Sequence, residues 1–437
     1  MKYFWKIFGC AMNYADAERV AQVLDELGFE RTEKLSEAEL ILLFTCSVRQ
    51  KSEDKVFGEI ENLKTWKAQK PERKIGLTGC MVRQTSSQNS EKRDPLLHRS
   101  KALDFVWRIE DSSQLEKLLA AHNSQLATRN FFSIQPKHNN KTQVLIPIST
   151  GCDNFCSYCI VPHARGREIS REPDEIIKEC EKAVKNGAIE ITLLGQNVNS
   201  FQKKKGAPAL SGGERFAKLL EKVAAIPKLA RLRFMSSHPK DFDATVIDVM
   251  AEHENIERHL HLPAQHGDDE ILRRMNRKYS AEHYLGLIKK FRAKLPDASV
   301  TTDFIVGFPG ETDEQFANLL EFYKKADFDF AFFAKYSPRP ETAAASFPDQ
   351  VPEKVKKERF AKLNSLVVAT TTKKYKQLKN KLLEVLVEKC TKGMCEGRSS
   401  EFYLTKFEGD KDLIGKIVKV KITQPREVEL WGELAKN

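Results

Sequence analysis

Three cysteines stand in one short run, Gly151-Cys-Asp-Asn-Phe-Cys-Ser-Tyr-Cys159, in the pattern Cys-x3-Cys-x2-Cys. Three thiolates are the number that holds a four-iron cluster while leaving one iron open to bind and reduce a small molecule. The close spacings let one loop wrap three corners of a small metal centre. A second chemistry stays open from the run alone. His163 follows shortly after Cys159, so Cys152, Cys156, Cys159 and His163 together would make a Cys3His zinc site. Unliganded thiols are the third possibility.

A second set of cysteines is dispersed. Strand patterns over Tyr3–Gly9, Leu40–Thr45 and Lys74–Gly79 end at Cys10, Cys46 and Cys80 respectively. Helical patterns separate them, Ala15–Leu27 with Val20, Val23, Leu24 and Leu27 on one face, then Glu53–Trp66. Such β-α-β-α-β order makes a parallel, doubly wound α/β sheet, whose strands end on the edge where such sheets bind ligands. Cys10, Cys46 and Cys80 are therefore expected to converge. One cysteine after a strand is usually a small buried hydrophobe, whereas three in register point to a second three-cysteine metal site. Cys180, inside the helical pattern Asp174–Asn186, reads as core, and Cys390 with Cys395 is a further zinc candidate.

A polar, irregular linker over Asn123–Thr142 leads to further alternation. Strand patterns cover Val144–Ser149, Ile189–Leu194, Arg231–Met235, His259–Leu262, Ser299–Val306 and Asp329–Tyr336. Helical patterns fall between them, including Glu214–Ala225, Ala281–Ala293 and Asp313–Ala326. Six βα units predict a partial (β/α)6 barrel, with chemistry at the C-terminal strand ends. The cysteine loop follows the first of these strands. Gln196 and Asn197, Ser236 and His238, and Gln265 follow later ones, where each also has a plain reading as a cap or loop hydrogen-bonder. Gly307-Phe-Pro-Gly-Glu-Thr312 is either a close backbone approach to a cofactor or a turn with Thr312 as N-cap. It lacks the Gly-Lys-Ser/Thr ending of a phosphate loop.

At the end of the chain, Leu382–Val387, Phe402–Phe407, Ile417–Ile422 and Val428–Leu434 alternate apolar and polar residues, which predicts a small antiparallel β-barrel. Lys and Arg outnumber Asp and Glu from Lys373 onward. Phe402, Tyr403 and Arg398, read as exposed, would offer stacking and cation contacts to unpaired bases; the plain reading is that the aromatics fill the barrel.

With 437 residues and a formal charge of +11, the chain has room for two or three domains and favours a polyanionic partner, most often nucleic acid. The short basic run Lys203–Gly206 reads as a solvated loop. No apolar run approaches the roughly 18–20 residues of a membrane span, and the N-terminus reads as a strand rather than a leader. Nine cysteines in the reducing cytoplasm that this implies argue for metal or catalysis rather than disulfides.

Nearly the whole length resembles the radical S-adenosylmethionine (SAM) methylthiotransferases, of the MiaB type that acts on tRNA. The matching segments are Phe8-Gly-Cys-Ala-Met-Asn13 with Asp16-Ala-Glu-Arg19, Thr45-Cys-Ser-Val-Arg49, Thr78-Gly-Cys80 and the run from Gly151 through Arg165-Gly-Arg-Glu-Ile-Ser-Arg171. Leu193–Ser200, Ser237-His-Pro239, His261-Leu-Pro263 and Asp303–Thr312 match as well, and the last domain looks like a TRAM domain, an RNA-binding barrel. Three segments depart from the family pattern: Phe44 for Asn, Gln265-His266-Gly-Asp for Gln-Ser-Gly-Ser, and Glu341 for Gly.

The resemblance implies a methylthiotransferase domain over 1–125, a radical SAM core over 138–370 and a TRAM-like domain over 373–437. It implies two [4Fe-4S] clusters. Cys152, Cys156 and Cys159 would hold the one that binds and cleaves SAM, with Tyr158 against the adenine and Gln196 near the methionine end. Cys10, Cys46 and Cys80 would hold an auxiliary cluster carrying the sulfur to be inserted. The implied substrate is N6-isopentenyladenosine in tRNA, methylthiolated at carbon 2. A flavodoxin or ferredoxin is the implied electron donor, and a cytoplasmic monomer the implied state. Sister groups act on threonylcarbamoyladenosine in tRNA or on a ribosomal-protein aspartate. Asn13 with Asp16 and Glu18, Gly195–Asn199 and Arg165–Glu168 look more like the isopentenyladenosine group. A non-catalytic zinc-containing RNA-binding protein is the reading from a different class.

Overall fold

The computed structural model describes residues 1–47, 50–83, 95–119, 131–202 and 210–435. The Lys203–Gly206 loop, the start of the expected linker, and Val48 and Arg49 of the second cysteine motif lie outside the described residues. The chain divides into two compact units, 1–172 with 194–196 and 337–345, and 173–193 with 197–336 and 346–437.

The first unit contains a parallel five-stranded sheet: β1 (Lys2–Phe8), β2 (Glu30–Arg31), β3 (Leu40–Thr45), β4 (Lys74–Gly79) and β5 (Phe105–Val106), in the order β2-β1-β3-β4-β5. All six residues of β3 are buried, as a central strand covered on both faces requires. Its side chains alternate between two cores. Leu40, Leu42 and Phe44 pack with Val20, Leu24 and Trp107; Ile41 and Leu43 pack with Val56, Ile60 and Leu77. The sheet is doubly wound, with its topological switch between β1 and β3, where open α/β sheets bind ligands. After β6 (Gln143–Pro147), two short antiparallel strands, β7 (Ser149–Thr150) and β8 (Ile169–Ser170), bracket the cysteine-rich loop and the helix Val161–Arg165.

In the second unit, β9 (Glu190–Leu194) pairs in parallel with β10 (Arg231–Phe234). The strands β11 (His259–His261), β12 (Ser299–Val306) and β13 (Phe330–Lys335) form another parallel set, and a bridge from Leu232 to Ile256 extends the pairing from β10. The intervening helices are amphipathic and well capped. Ser211 with Glu214 and Thr312 with Gln315 each form a reciprocal capping box. Thr312 is thus an N-cap, and the glycine-rich segment before it is a turn in which Gly307 and Gly310 take φ of 69° and 79°.

The helix Glu353–Lys376 leads into a closed barrel of β14 (Leu382–Thr391), β15 (Met394–Ser399), β16 (Leu404–Glu408), β17 (Ile417–Pro425) and β18 (Leu430–Leu434). It has five strands rather than the four expected, and its pairing is antiparallel except between β16 and β18. The strand that sequence reading missed, Met-Cys-Glu-Gly-Arg-Ser, carries no β-branched residue. Gly397 is there because a Cβ would sit 1.9 Å from the Leu386 carbonyl oxygen. That missed strand also corrects the zinc candidate. Cys390 and Cys395 face each other across the β14–β15 ladder and are joined as a disulfide.

No helix among the described residues is long and apolar enough to cross a membrane.

Candidate active site

Register brings the dispersed cysteines to one edge. Phe8 pairs with Thr45 and Thr45 with Gly79, so Cys10, Cys46 and Cys80 leave β1, β3 and β4 side by side. Asn13 fastens them. Its Nδ2 donates to the Thr45 carbonyl at 3.0 Å, and its Oδ1 accepts from the Cys10 thiol at 3.5 Å. Glycine precedes two of the cysteines because nothing larger fits. A Cβ on Gly9 would lie 2.3 Å from Asn13 Oδ1. One on Gly79, whose φ is 97°, would lie 2.3 Å from the Thr45 oxygen.

A buried ion pair lies against this edge. Arg165 Nη2 donates to Asp16 Oδ2 at 2.5 Å, with the two side chains only 3 % and 1 % exposed. Burial pushes the Cys80 thiol up in pKa, and the Arg165 guanidinium beside it draws it back. Burial likewise raises the Glu110 carboxyl, which also senses Arg165. Nη1 of Arg165 is buried with no acceptor. Buried polar groups are normally hydrogen-bonded, so an orphaned cationic N–H beside a thiol suits an anionic, sulfur-rich group.

The other three cysteines are shaped by their own loop. Gly151 has φ of 77°, and a Cβ there would meet the Arg167 carbonyl oxygen at 2.1 Å. Arg167 grips Asp153 with two hydrogen bonds of 2.7 and 3.1 Å, and Cys152 N–H donates to the Gly166 carbonyl. Cys152 and Cys156 are buried, while Cys159 and Tyr158 are half-buried. Burial pushes the Cys152 thiol up to about 11. The Cys159 thiol is raised by burial first, then by Cys156, and also by Cys152 and Cys80. The influence of Cys80 on Cys159 places these two thiols near one another within the first unit. Hydroxyls of Ser149 and Thr150, just before the loop, and Oε1 of Gln196 are buried without partners. Such leftover polar atoms suit a ligand with amino and carboxylate groups.

Among the described residues no three His, Cys, Asp or Glu side chains are gathered as a single-ion site. His163, the fourth member of the zinc reading, has its Nδ1 4.0 Å from Glu341.

The three departures from the family pattern each have a local account. Phe44 packs edge-on between Trp5 and Trp107. His266 is buried 3.2 Å from Glu311, which in turn binds Arg359. Glu341 takes φ of 72°, the left-handed conformation that glycine favours, and pairs with Arg83 at 2.9 Å.

In the second unit, Asn197 caps a short turn and donates to Asp241, and Asn199 accepts from the His238 N–H. Ser236 and Gln265, after β10 and β11, both hold φ of 69°. Strained backbone of this kind gathers at functional strand ends.

The expectation for Phe402, Tyr403 and Arg398 is corrected. Phe402 stacks on His259 with ring centroids 4.6 Å apart and 5° between planes, and Arg233 and Arg398 lie over its ring at 5.0 and 4.2 Å. Tyr403 packs on Tyr375. Burial first, then Arg233, pushes the His259 pKa well down, so its ring is neutral. Arg231 and Arg233, on β10, donate to the carbonyls of Glu384, Arg398 and Ser399 and pair with Glu190 and Glu257. These side chains dock the barrel and are not an open platform for bases.

Sequence reading assigned no role to Arg165 or to the grip of Asn13. Both stand in quoted motifs, but only burial reveals what they touch.

The radical SAM superfamily matches residues 146–323, and the Uncharacterized protein family UPF0004 matches residues 2–98. The tRNA-2-methylthio-N(6)-dimethylallyladenosine synthase of Natranaerobius thermophilus is 41 % identical, covering 99 % of this chain and 96 % of its own. That of Bacillus subtilis is 40 % identical, covering 99 % and 86 %. Among solved structures, the radical SAM methyltransferase TsrM from Kitasatospora setae superposes with a TM-score of 0.55 at 14 % identity, covering 79 % of this chain and 77 % of its own, which speaks to fold alone. The fold is α/β, with an N-terminal parallel-sheet domain, a partial (β/α)6 radical SAM barrel and a small C-terminal β-barrel. Radical SAM enzymes work with a [4Fe-4S] cluster and SAM. Identity of this level over nearly the full length, on a chain that carries both cysteine triads, places it in the radical SAM methylthiotransferase family.

Proposed function

We propose that the protein methylthiolates carbon 2 of N6-isopentenyladenosine next to the anticodon of tRNA. The observation that carries this reading is the likeness over 99 % of the chain to relatives named for that product. In this reading Cys152, Cys156 and Cys159 hold the SAM-binding cluster, and Cys10, Cys46 and Cys80 hold the auxiliary one. When bound, SAM with the first cluster would supply the carbon radical, and the second cluster the sulfur, that the protein's side chains do not. The chain's own part is placement. Asn13 and the two glycines set the sheet edge, Gly151 and Asp153 shape the loop, and Tyr158 and Gln196 position SAM. Ser149 and Thr150 add hydrogen-bonding capacity beside the loop.

Residues 1–125 form the methylthiotransferase domain, 138–370 the radical SAM core and 373–437 the TRAM-like RNA-binding domain. Because Phe402 and Arg398 are committed to docking, RNA contacts fall to outward positions of the barrel such as the exposed Lys419 and Lys421 on β17. A buried target atom needs a splayed base, which an anticodon loop presents. The protein acts as a cytoplasmic monomer that takes electrons from a flavodoxin or ferredoxin.

The test is nucleoside analysis of tRNA incubated with the reconstituted protein, SAM and a reductant. Appearance of 2-methylthio-N6-isopentenyladenosine from isopentenylated tRNA is the expected result. Modification of threonylcarbamoyladenosine instead would move the protein to the sister group. Failure on both tRNAs, with both clusters loaded, would overturn the tRNA assignment.

A further inference from the structure

Arg165 belongs to one triad by sequence and to the other by contact. Its backbone closes the helix that follows Cys159, inside the loop bracketed by β7 and β8. Its side chain reaches away from that loop to Asp16, in the helix that follows Cys10, and to the flank of Cys80. We infer that Arg165 is a positioning residue for the auxiliary cluster, supplying a fixed positive charge and an N–H at the Cys80 corner that hold the cluster's reduction potential up. The inference rests on the assignment of Cys10, Cys46 and Cys80 as cluster ligands.

The physical argument is one of charge. A thiolate-bound four-iron cluster becomes more negative when it accepts an electron. Net charge, hydrogen bonds to its sulfurs and burial set its potential. A cation held in a water-poor site stabilises the reduced state more than the oxidised one, and outer groups of this kind tune a metal centre strongly. Asp16 acts with the opposite sign, because its carboxylate offsets the guanidinium. An ion pair kept for stability alone has little to recommend it here, since buried pairs often contribute no more than apolar side chains of the same volume. Such a pair would also have no reason to leave Nη1 without an acceptor.

Opposite signs make the idea testable. The full-length protein with Cys152→Ala, Cys156→Ala and Cys159→Ala serves as parent, so that only the auxiliary cluster loads. Its midpoint is read by an EPR-monitored redox titration. Arg165→Gln is expected to lower the midpoint, with the reduced-to-oxidised ratio at the parent's midpoint falling about tenfold, which is about 59 mV for a one-electron couple. Arg165→Lys shifts it less in the same direction, and Asp16→Asn shifts it upward. Both Arg165→Gln and Asp16→Asn break the same ion pair, so a merely structural role would move the potential in one direction or not at all, and either outcome overturns the inference. If Arg165→Gln fails to load iron, the upward shift of Asp16→Asn and the partial shift of Arg165→Lys decide. A parent that loads no cluster overturns the ligand assignment and the inference with it. A loaded parent with unmoved variants overturns the inference alone.

Discussion

The two cysteine triads are built in opposite ways. Cys152, Cys156 and Cys159 share one loop, and their geometry depends on turns within it, above all Gly151 and the Asp153–Arg167 grip. Cys10, Cys46 and Cys80 come from three strands, and their geometry depends on the register of β1, β3 and β4. A slip of one residue in a strand would turn a cysteine to the opposite face. The loop triad is therefore a local device, whereas the dispersed one is a property of the folded domain.

Substitutions can separate the two. The largest expected effect is on chemistry. Cys156→Ala abolishes SAM cleavage, measured as 5′-deoxyadenosine formed under reductant. Cys46→Ala spares some cleavage but stops methylthiolation, and product formation by that variant would remove the auxiliary triad from the mechanism. Next is Gly79→Ala, which forces a side chain into a left-handed position 2.3 Å from a backbone oxygen. It is expected to cost roughly 1–3 kcal/mol of stability and to bring the iron content from about eight per chain toward about four, while the loop triad keeps its share. Iron analysis with thermal melts checks both. Asn13→Ala removes a buried hydrogen bond worth about 1 kcal/mol and should weaken auxiliary loading without touching SAM cleavage. The smallest effect is Glu341→Gly. Relief of a left-handed φ offsets loss of the Arg83 pair, so melting should show a net change under about 1 kcal/mol.

The same contrast explains what was legible in the sequence. β3, β4 and β12 were readable to the residue, β3 because an unbroken apolar run ending in Thr45 leaves little choice of boundary. The loop triad announced itself by spacing. The dispersed triad was legible only through the strand–helix alternation around it. What escaped depends on distant packing. Phe402 looks like an open ring until His259 is found beneath it. Arg165 looks like a surface cation, as most arginines are, until Asp16 is found against it. The Cys390–Cys395 pairing was hidden because β15 has neither the alternation nor the residue types that mark a strand.

The docking of the terminal barrel bears on how its loss would be read. Arg231, His259 and Ser299 open β10, β11 and β12, and each meets the barrel directly or, for Ser299, through the Glu401 carbonyl. Cutting the chain after the helix Glu353–Lys376 would leave two arginines and their acidic partners facing water or one another without the carbonyls they now use. A truncated enzyme that fails on tRNA would therefore be ambiguous, since a damaged core and a missing RNA contact would look the same. Exchanging Lys419 and Lys421 on the outer wall of the intact barrel separates the two, because it leaves the dock in place.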